Sequence, residues 1–161
     1  MSDNKQFTIV LFEPQIPQNT GNIVRTCKVT GAKLVLVKPL GFSTSSAALK
    51  RAGLDYWDGV TVEIIDDLPT WLSQTKSPFY FFSSHAKTFY SEMRYPADAI
   101  LIFGSETKGL SPYFQQTWPE LFLTLPMTKN SRCLNLSNTV SIVLYEAWKQ
   151  IGFAGHSHEI F

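Results

Sequence analysis

The segment 13–26 combines residue types that could bind an anion at the start of a helix. Asn19 and Thr20 are residue types that cap helix N-termini, and Gly21 permits close approach of the backbone. Arg25 follows within the first turns of the predicted helix. Helix N-termini attract anions, and arginine pairs with phosphate through a planar fork of N–H groups. An ordinary strand–turn–helix with a surface arginine has the same sequence, so both interpretations stay open.

The second segment, 100–111, is an apolar strand followed by two glycines on either side of a carboxylate. Gly104 and Gly109 have the spacing of a phosphate-binding Walker loop, but the Lys-Ser/Thr pair that should follow is missing. The chain contains no Gly-x-Gly-x-x-Gly, so the nicotinamide-dinucleotide fingerprint is absent as well. The two glycines still predict backbone that lies close to a ligand.

The third segment, 130–136, holds neither an acidic residue nor a glycine, and it could offer many hydrogen bonds to a small polar ligand. On the helix predicted to follow, Ser137, Ser141 and Tyr145 are four residues apart and share one face, although Tyr145 could equally be a packing residue. Cys133 has no apparent histidine partner. No Ser-His-Asp, paired-carboxylate or zinc-ligand pattern is evident.

The elements that position these segments can be predicted from hydrophobic periodicity. Apolar runs predict strands at 7–12, 33–38, 60–65, 78–83, 99–103 and 121–125. Five helices are predicted. The first covers about 20–30 and ends at Gly31, and the second lies near 44–52. The third begins at Asp67, the fourth begins at Ser111, and the last ends at Gly152. Strands that alternate with helices indicate an α/β fold, a mostly parallel sheet flanked by helices. Ligands then bind outside the carboxyl ends of the strands, where the three segments lie.

Length and composition narrow the class of protein. The 161 residues fit a single domain, 1–161, and a hydrophobic content of 44% excludes disorder. Two cysteines are too few for a disulfide framework. No apolar run reaches 18 residues, and the N-terminus lacks a signal-peptide pattern, so we expect a reduced, cytoplasmic protein without a membrane segment.

The order of charges is more informative than the net charge of +1. Between Pro14 and Leu54 there is no acid but there are six bases: Arg25, Lys28, Lys33, Lys38, Lys50 and Arg51. The charged residues that follow are all acidic: Asp55, Asp58, Glu63, Asp66 and Asp67. A basic patch that faces a polyanion such as RNA is one interpretation, and solvated faces charged by chance are the other.

Together the segments resemble motifs of the SPOUT class of trefoil-knotted RNA methyltransferases. The motifs are Asn19–Thr26, Phe103–Leu110 and Leu125–Asn138, in the family's order, and the resemblance extends to Gly41-Phe42, Gly53–Tyr56 and Tyr145–Trp148. The chain is most similar to the minimal branch that 2′-O-methylates the wobble nucleotide, cytidine or uridine 34, of leucine tRNAs. Relatives that act elsewhere carry RNA-binding extensions, for which this chain has no room.

The resemblance implies a deep C-terminal trefoil knot, against the general rule that chains are not knotted. It also implies a homodimer, the cofactor S-adenosylmethionine bound within the knot, and no metal. The residues implied to hold the cofactor, mainly through backbone groups, are Phe82, Gly104, Leu125, Cys133 and Leu134. Most members of the branch have Ser in place of Cys133 and Pro in place of Ser105.

By the same resemblance, the catalytic residues are Arg25, Asn22, Glu106, Asn135, Ser137 and Tyr145, and the partner is the anticodon stem-loop of tRNA. A guanidinium stays protonated at neutral pH and is a weak base. We therefore expect Arg25 to stabilise the developing alkoxide and a nearby phosphate, and Glu106 to fix either Arg25 or a loop amide. The alternatives are methylation at another tRNA or rRNA site, a non-catalytic RNA-binding factor on the same fold, and an unrelated α/β enzyme that binds a phosphate at Gly104–Gly109.

Overall fold

The computed structural model describes residues 5–45, 47, 48, 57 and 59–157, and these contain one seven-stranded sheet. Its strands are β1 (Thr8–Phe12), β2 (Lys33–Val37), β3 (Val62–Ile65), β4 (Phe79–Phe82), β5 (Thr88–Phe89), β6 (Ile100–Phe103) and β7 (Phe122–Thr124). Their order across the sheet is β3-β2-β1-β6-β4-β7-β5, and every neighbouring pair is parallel. The predicted α/β class with a parallel sheet is confirmed.

Helices cover both faces of this sheet. They are α1 (Pro17–Thr30), α2 (Leu68–Ser73), α3 (Pro112–Thr117) and α4 (Leu136–Gln150), with short 3-10 turns at Tyr90–Glu92 and Pro119–Leu121. Asp67 caps α2 by accepting from the backbone N–H of Thr70, Ser111 caps α3, and both helices begin where the sequence predicts. Gly31 ends α1 at a φ of 79°, the left-handed region that favours glycine. The helix predicted near 44–52 falls mostly outside the described residues.

Two expectations about element boundaries were wrong. The first helix begins at Pro17 rather than near residue 20, so Asn19 and Thr20 lie inside it and are not caps. Its N-cap is Ile16, whose side chain has no hydrogen-bond acceptor. Strand β5 was not predicted, because its two exposed residues form no apolar run.

The central strands β1, β2, β4, β6 and β7 are largely buried, which explains why they are continuous apolar runs, whereas the edge strands β3 and β5 are more exposed. Side chains alternate along β1: Ile9 and Leu11 join the core on the face of α1 and α4, and Val10 joins the core on the face of α2 and α3. Because β1, β6, β4 and β7 are parallel neighbours, the loops that follow them meet at one edge. The trefoil knot and the single domain over 1–161 stay predictions.

Candidate functional site

A cavity of about 620 Å³ opens at the carboxyl ends of β4, β6 and β7, a size typical of small-molecule sites. All five residues implied to hold the cofactor line it: Phe82, Gly104, Leu125, Cys133 and Leu134. Ile16 and Asn19 line it from the first segment, and Glu106 and Asn135 line it from the second and third. The three segments, far apart in sequence, therefore converge on one cavity.

One wall of the cavity is apolar. The ring of Phe82 stacks on Phe103 with centroids 4.8 Å apart and planes 13° apart, and both residues are buried. The exposed stretch that includes Cys133 and Leu134 also lines the cavity, and no described residue hydrogen-bonds to the backbone groups of these two. Backbone groups in the interior must be paired, and those beside a cavity pair with water or a ligand. The cavity thus offers both an apolar surface and free peptide groups.

The geometry of the second segment's own loop requires its two glycines. A Cβ on Gly104 would lie 2.3 Å from the backbone carbon of Gly109 and 2.5 Å from the nitrogen of Leu110. The loop closes on itself through reciprocal bonds between the backbone of Ser105 and Gly109, at 3.1 and 3.0 Å. Gly109 has a φ of 65°. The closure of the loop requires glycine at both positions. Both glycines also line the cavity, and their closeness to a ligand stays a prediction.

Glu106 extends from this loop to the start of α1. Its carboxylate accepts from the backbone N–H of Gln15 at 2.9 Å, from that of Ile16 at 3.2 Å and from Nδ2 of Asn19 at 3.3 Å. The two backbone donors belong to the residues just before α1, whose N-cap Ile16 offers no side-chain acceptor. Glu106 therefore fixes loop amides, one of its two expected roles. Arg25 is not among its partners.

Asn19 joins the second segment to the third, and the sequence analysis missed this function. It is 5% exposed, its Nδ2 donates to Glu106, and its Oδ1 accepts from Nδ2 of Asn135 at 2.9 Å. Asn135 in turn accepts from the backbone N–H and the hydroxyl of Ser137 and so caps α4. The signal in the sequence is the asparagine in each segment, a residue type that predicts capping or polar loop chemistry but not which partner it meets.

The remaining predicted catalytic residues lie on α1 and α4, whose contact we call the α1–α4 seam, and not in the cavity lining. The hydroxyls of Thr26 and Ser141 are 3.2 Å apart across the seam. Asn22 is one turn before Thr26, and Ser137 and Tyr145 lie one turn either side of Ser141. Asn22 and Tyr145 are exposed, whereas Ser137 is buried.

Arg25 is exposed on α1 beside Thr26, and no described residue accepts a hydrogen bond from it or pairs with its charge. Lys28, Lys33 and Lys38 are exposed as well, and Lys38 lies 3.5 Å from the exposed Asp66. The other members of the predicted patch, Lys50 and Arg51, and the acids Asp55 and Asp58 lie outside the described residues. The exposed pair of Lys38 and Asp66 is screened by salt, so Lys38 stays accessible to other anions.

Two negative findings apply to the described part of the chain. It holds no group of three or more His, Cys, Asp or Glu side chains placed to bind a metal ion. None of its helices has the length and hydropathy that crossing a membrane requires.

Comparison with known proteins identifies the family that this chain matches. The model of the SpoU rRNA methylase family matches residues 6–145. A Yersinia pestis protein named tRNA (cytidine(34)-2′-O)-methyltransferase is 44% identical over 154 residues, which cover 91% of this chain and 95% of that protein. A Burkholderia pseudomallei protein of the same name is 42% identical over 154 residues, covering 92% and 98%.

Solved structures agree with the sequence relatives. A structure determined in work on the 2-OH methylation of C/U34 on tRNA is 36% identical, has a TM-score of 0.83, and is matched over 92% of this chain and 98% of that chain. A SpoU methyltransferase from Streptomyces viridochromogenes, solved with AdoMet, has a TM-score of 0.79 at 19% identity over 94% of this chain and 60% of that chain. The latter shows that the fold is shared.

Proposed function

The chain belongs to the SpoU rRNA methylase family, and from this membership we propose that it transfers a methyl group from S-adenosylmethionine to the ribose 2′-oxygen of nucleotide 34 in tRNA. Cytidine 34 is supported by the names of relatives at 42% and 44% identity. We extend the proposal to uridine 34, to leucine tRNAs, to recognition through the anticodon stem-loop and to a cytoplasmic location. The convergence of three distant segments on one cavity is the observation that carries the activity.

The residues around the cavity fit S-adenosylmethionine. Phe82, Leu125 and Leu134 offer apolar surface for an aromatic base, and the unpaired peptide groups of Cys133 and Leu134 offer hydrogen bonds for its polar edge. The bound cofactor supplies an electrophilic methyl group on a sulfonium. We assign the cofactor contact at position 133 to the backbone. Cysteine in place of serine at this position therefore leaves the proposed binding intact.

We assign the chemistry of the ribose to residues on the α1–α4 seam. Arg25, unpaired among the described residues, is available to stabilise the alkoxide that develops as the 2′-hydroxyl passes its proton to a nearby RNA phosphate. Asn22, Ser137 and Tyr145 orient the ribose or Arg25. Glu106 and Asn135 act as positioning residues, because their hydrogen bonds fix α1 and α4 relative to the cavity.

We also propose a homodimer formed through the same two helices. Val29 on α1 is 63% exposed, and Ile142 and Tyr145 on α4 are 39% and 41% exposed. Exposed apolar side chains that cluster on packed helices mark an interaction surface. Replacement of Ile142 by aspartate should convert the dimer to a monomer in light scattering after gel filtration, and a wild-type monomer would contradict the proposal.

The experiment that tests the function is nucleoside mass spectrometry of tRNA incubated with the protein and labelled S-adenosylmethionine. We expect one labelled 2′-O-methylnucleoside at position 34. Label at a different nucleotide would indicate another RNA site. Binding of tRNA without label, together with no uptake of cofactor in calorimetry, would indicate a non-catalytic RNA-binding factor.

Arg25→Ala tests the catalytic assignment. We expect a loss of at least about a hundredfold in the single-turnover rate at saturating tRNA, the lower range for removing a positioned charge, with cofactor affinity retained. Arg94→Ala removes another exposed arginine, one outside the cavity and the seam, and should leave the rate unchanged. Near-normal turnover of Arg25→Ala would remove Arg25 from the mechanism.

A further inference from the structure

The loop after β2, residues 38–45, packs against the segment 13–16 at the entrance to α1. The backbone N–H of Gly41 donates to the carbonyl of Pro14 at 2.9 Å. A Cβ on Gly41 would lie 2.6 Å from Cα of Gln15, 2.6 Å from its carbonyl oxygen and 2.7 Å from its Oε1. Gly41 is not in the left-handed region, so space rather than backbone conformation requires glycine here.

Gln15 is in contact with Glu106 on its other side. Its backbone N–H donates to Oε2 of Glu106 at 2.9 Å, and its side-chain Nε2 donates to the carbonyl of Glu13 at 2.9 Å. Glu13 in turn donates its backbone N–H to the carbonyl of Val37 at the end of β2, at 3.0 Å. The segment 13–16 is therefore held between the loop after β2 and the loop that carries Glu106.

We propose that Gly41 is a positioning residue for methyl transfer. Without a side chain, it lets the loop after β2 hold Gln15 and Ile16 at hydrogen-bond distance from Glu106, and it thereby sets the start of the helix that carries Arg25. The proposal rests on the proposed function. It assigns a site role to a loop that contributes no residue to the cavity lining.

The displacement caused by a methyl group at this position can be worked out. Ordinary van der Waals contact begins at 3.4 Å, so atoms at 2.6 Å must separate by 0.8 Å, and two of the three neighbours are backbone atoms. The 2.9 Å bond from Gln15 to Glu106 cannot keep its length and alignment through a shift of that size. A misplacement of about 1 Å away from the chemistry costs about a hundredfold in rate.

The test compares Gly41→Ala with Gly31→Ala. Gly31 lies at the far end of the same helix at a φ of 79° with open space around it, so alanine there strains α1 without touching the segment 13–16. We expect Gly41→Ala to lower the single-turnover rate at saturating tRNA and cofactor about a hundredfold, with KM values and cofactor affinity within a few-fold of wild type. Gly31→Ala should lower thermal stability and keep the rate.

A second variant covers the case in which Gly41→Ala does not fold. In Gly41→Ala with Gln15→Gly, the flexible residue at 15 gives the chain room to bend around the new methyl group. We expect this protein to fold and to stay slow. Wild-type rates in either folded variant, or equal rate losses in Gly41→Ala and Gly31→Ala, would overturn the proposal.

Hydrogen exchange separates this proposal from the proposed function. The amides of Gln15 and Ile16 should be protected in wild type and exchange faster in Gly41→Ala, whichever RNA is the substrate. If wild type fails to methylate nucleotide 34 but the two amides lose protection in Gly41→Ala, the proposed function fails and the positioning of Gln15 by Gly41 stands. Unchanged protection would refute the positioning itself.

Discussion

Replacement of Glu106 by alanine should loosen the start of α1, because three hydrogen bonds are lost at once. The donors are the backbone N–H groups of Gln15 and Ile16 and the side-chain amide of Asn19. A hydrogen bond to a charged group contributes about 1.5–3 kcal/mol net. Two of these bonds are long, at 3.2 and 3.3 Å, and water reaches the partly exposed donors. We therefore expect a loss of about 2–3 kcal/mol, closer to one strong bond than to three.

Two measurements check this magnitude. Urea denaturation should show the lost free energy of unfolding, and hydrogen exchange should show where it is lost. Because every 1.4 kcal/mol is tenfold, the amides of Gln15 and Ile16 should exchange roughly 30- to 140-fold faster in Glu106→Ala. Glu120→Ala is the matched control, since Glu120 is an exposed carboxylate in the 3-10 turn before β7 and should change stability by no more than about 0.5 kcal/mol.

The result that would refute the reasoning is a Glu106→Ala protein with unchanged stability and unchanged protection of the two amides. Glu106 would then not hold the segment 13–16, and a loss of activity in the variant would have to come from direct contact with substrate or cofactor. Loss of protection spread evenly over the whole chain would also contradict it, because the lost bonds act at one end of α1.

Two further outcomes follow from the burial of titratable groups. Burial raises the pKa of the Cys27 thiol to about 12, whereas Cys133 is exposed in the cavity. One thiol per native chain should therefore react with a maleimide at pH 8, and two should react after denaturation. S-adenosylmethionine should slow the reaction of the native thiol, and two fast-reacting thiols in the native chain would contradict the structure. Burial, with Glu146 nearby, raises the pKa of the Tyr95 hydroxyl. The neutral hydroxyl therefore contributes fully to the free energy of unfolding below about pH 10, where tyrosine in the unfolded chain begins to ionise. This contribution is lost as the pH rises further. Tyr95→Phe should therefore show a shallower alkaline decline in denaturation curves, and an identical decline would refute this.

The sequence was sufficient for the sheet because a strand buried on both faces is a continuous apolar run. Six of the strands fall within the predicted ranges, and the unpredicted β5 has only two residues, Thr88 and Phe89. The boundary of α1 was misplaced for a physical reason. The two residues just before it are held by Glu106, about ninety residues along the chain, whereas sequence reasoning looks for a capping side chain next to the helix.

The site was predictable in its residue types and not in its connections. The three segments converge as the resemblance implies, yet the reason for Gly104 is the closure of its own loop, and the connecting residue is Asn19. Neither fact is present in local spacing, because each depends on which surfaces meet after folding. The loop after β2 illustrates the same point, since Gly41 looks like an ordinary turn glycine until Gln15 is placed against it.

The directions of the hydrogen bonds explain why a carboxylate, and not an amide, stands at position 106. Ser137 donates to Oδ1 of Asn135, so the amide nitrogen of Asn135 must point to Oδ1 of Asn19, and Nδ2 of Asn19 must then point to Glu106. Among the described residues, every group that hydrogen-bonds to Glu106 is a donor, and a carboxylate is the side chain that only accepts. An amide at 106 would have one acceptor for these donors and would turn its own NH₂ toward another. Glu106→Gln should therefore lose protection at the start of α1 although its volume is unchanged, and it should release the contact between Asn19 and Asn135 that joins α1 to α4.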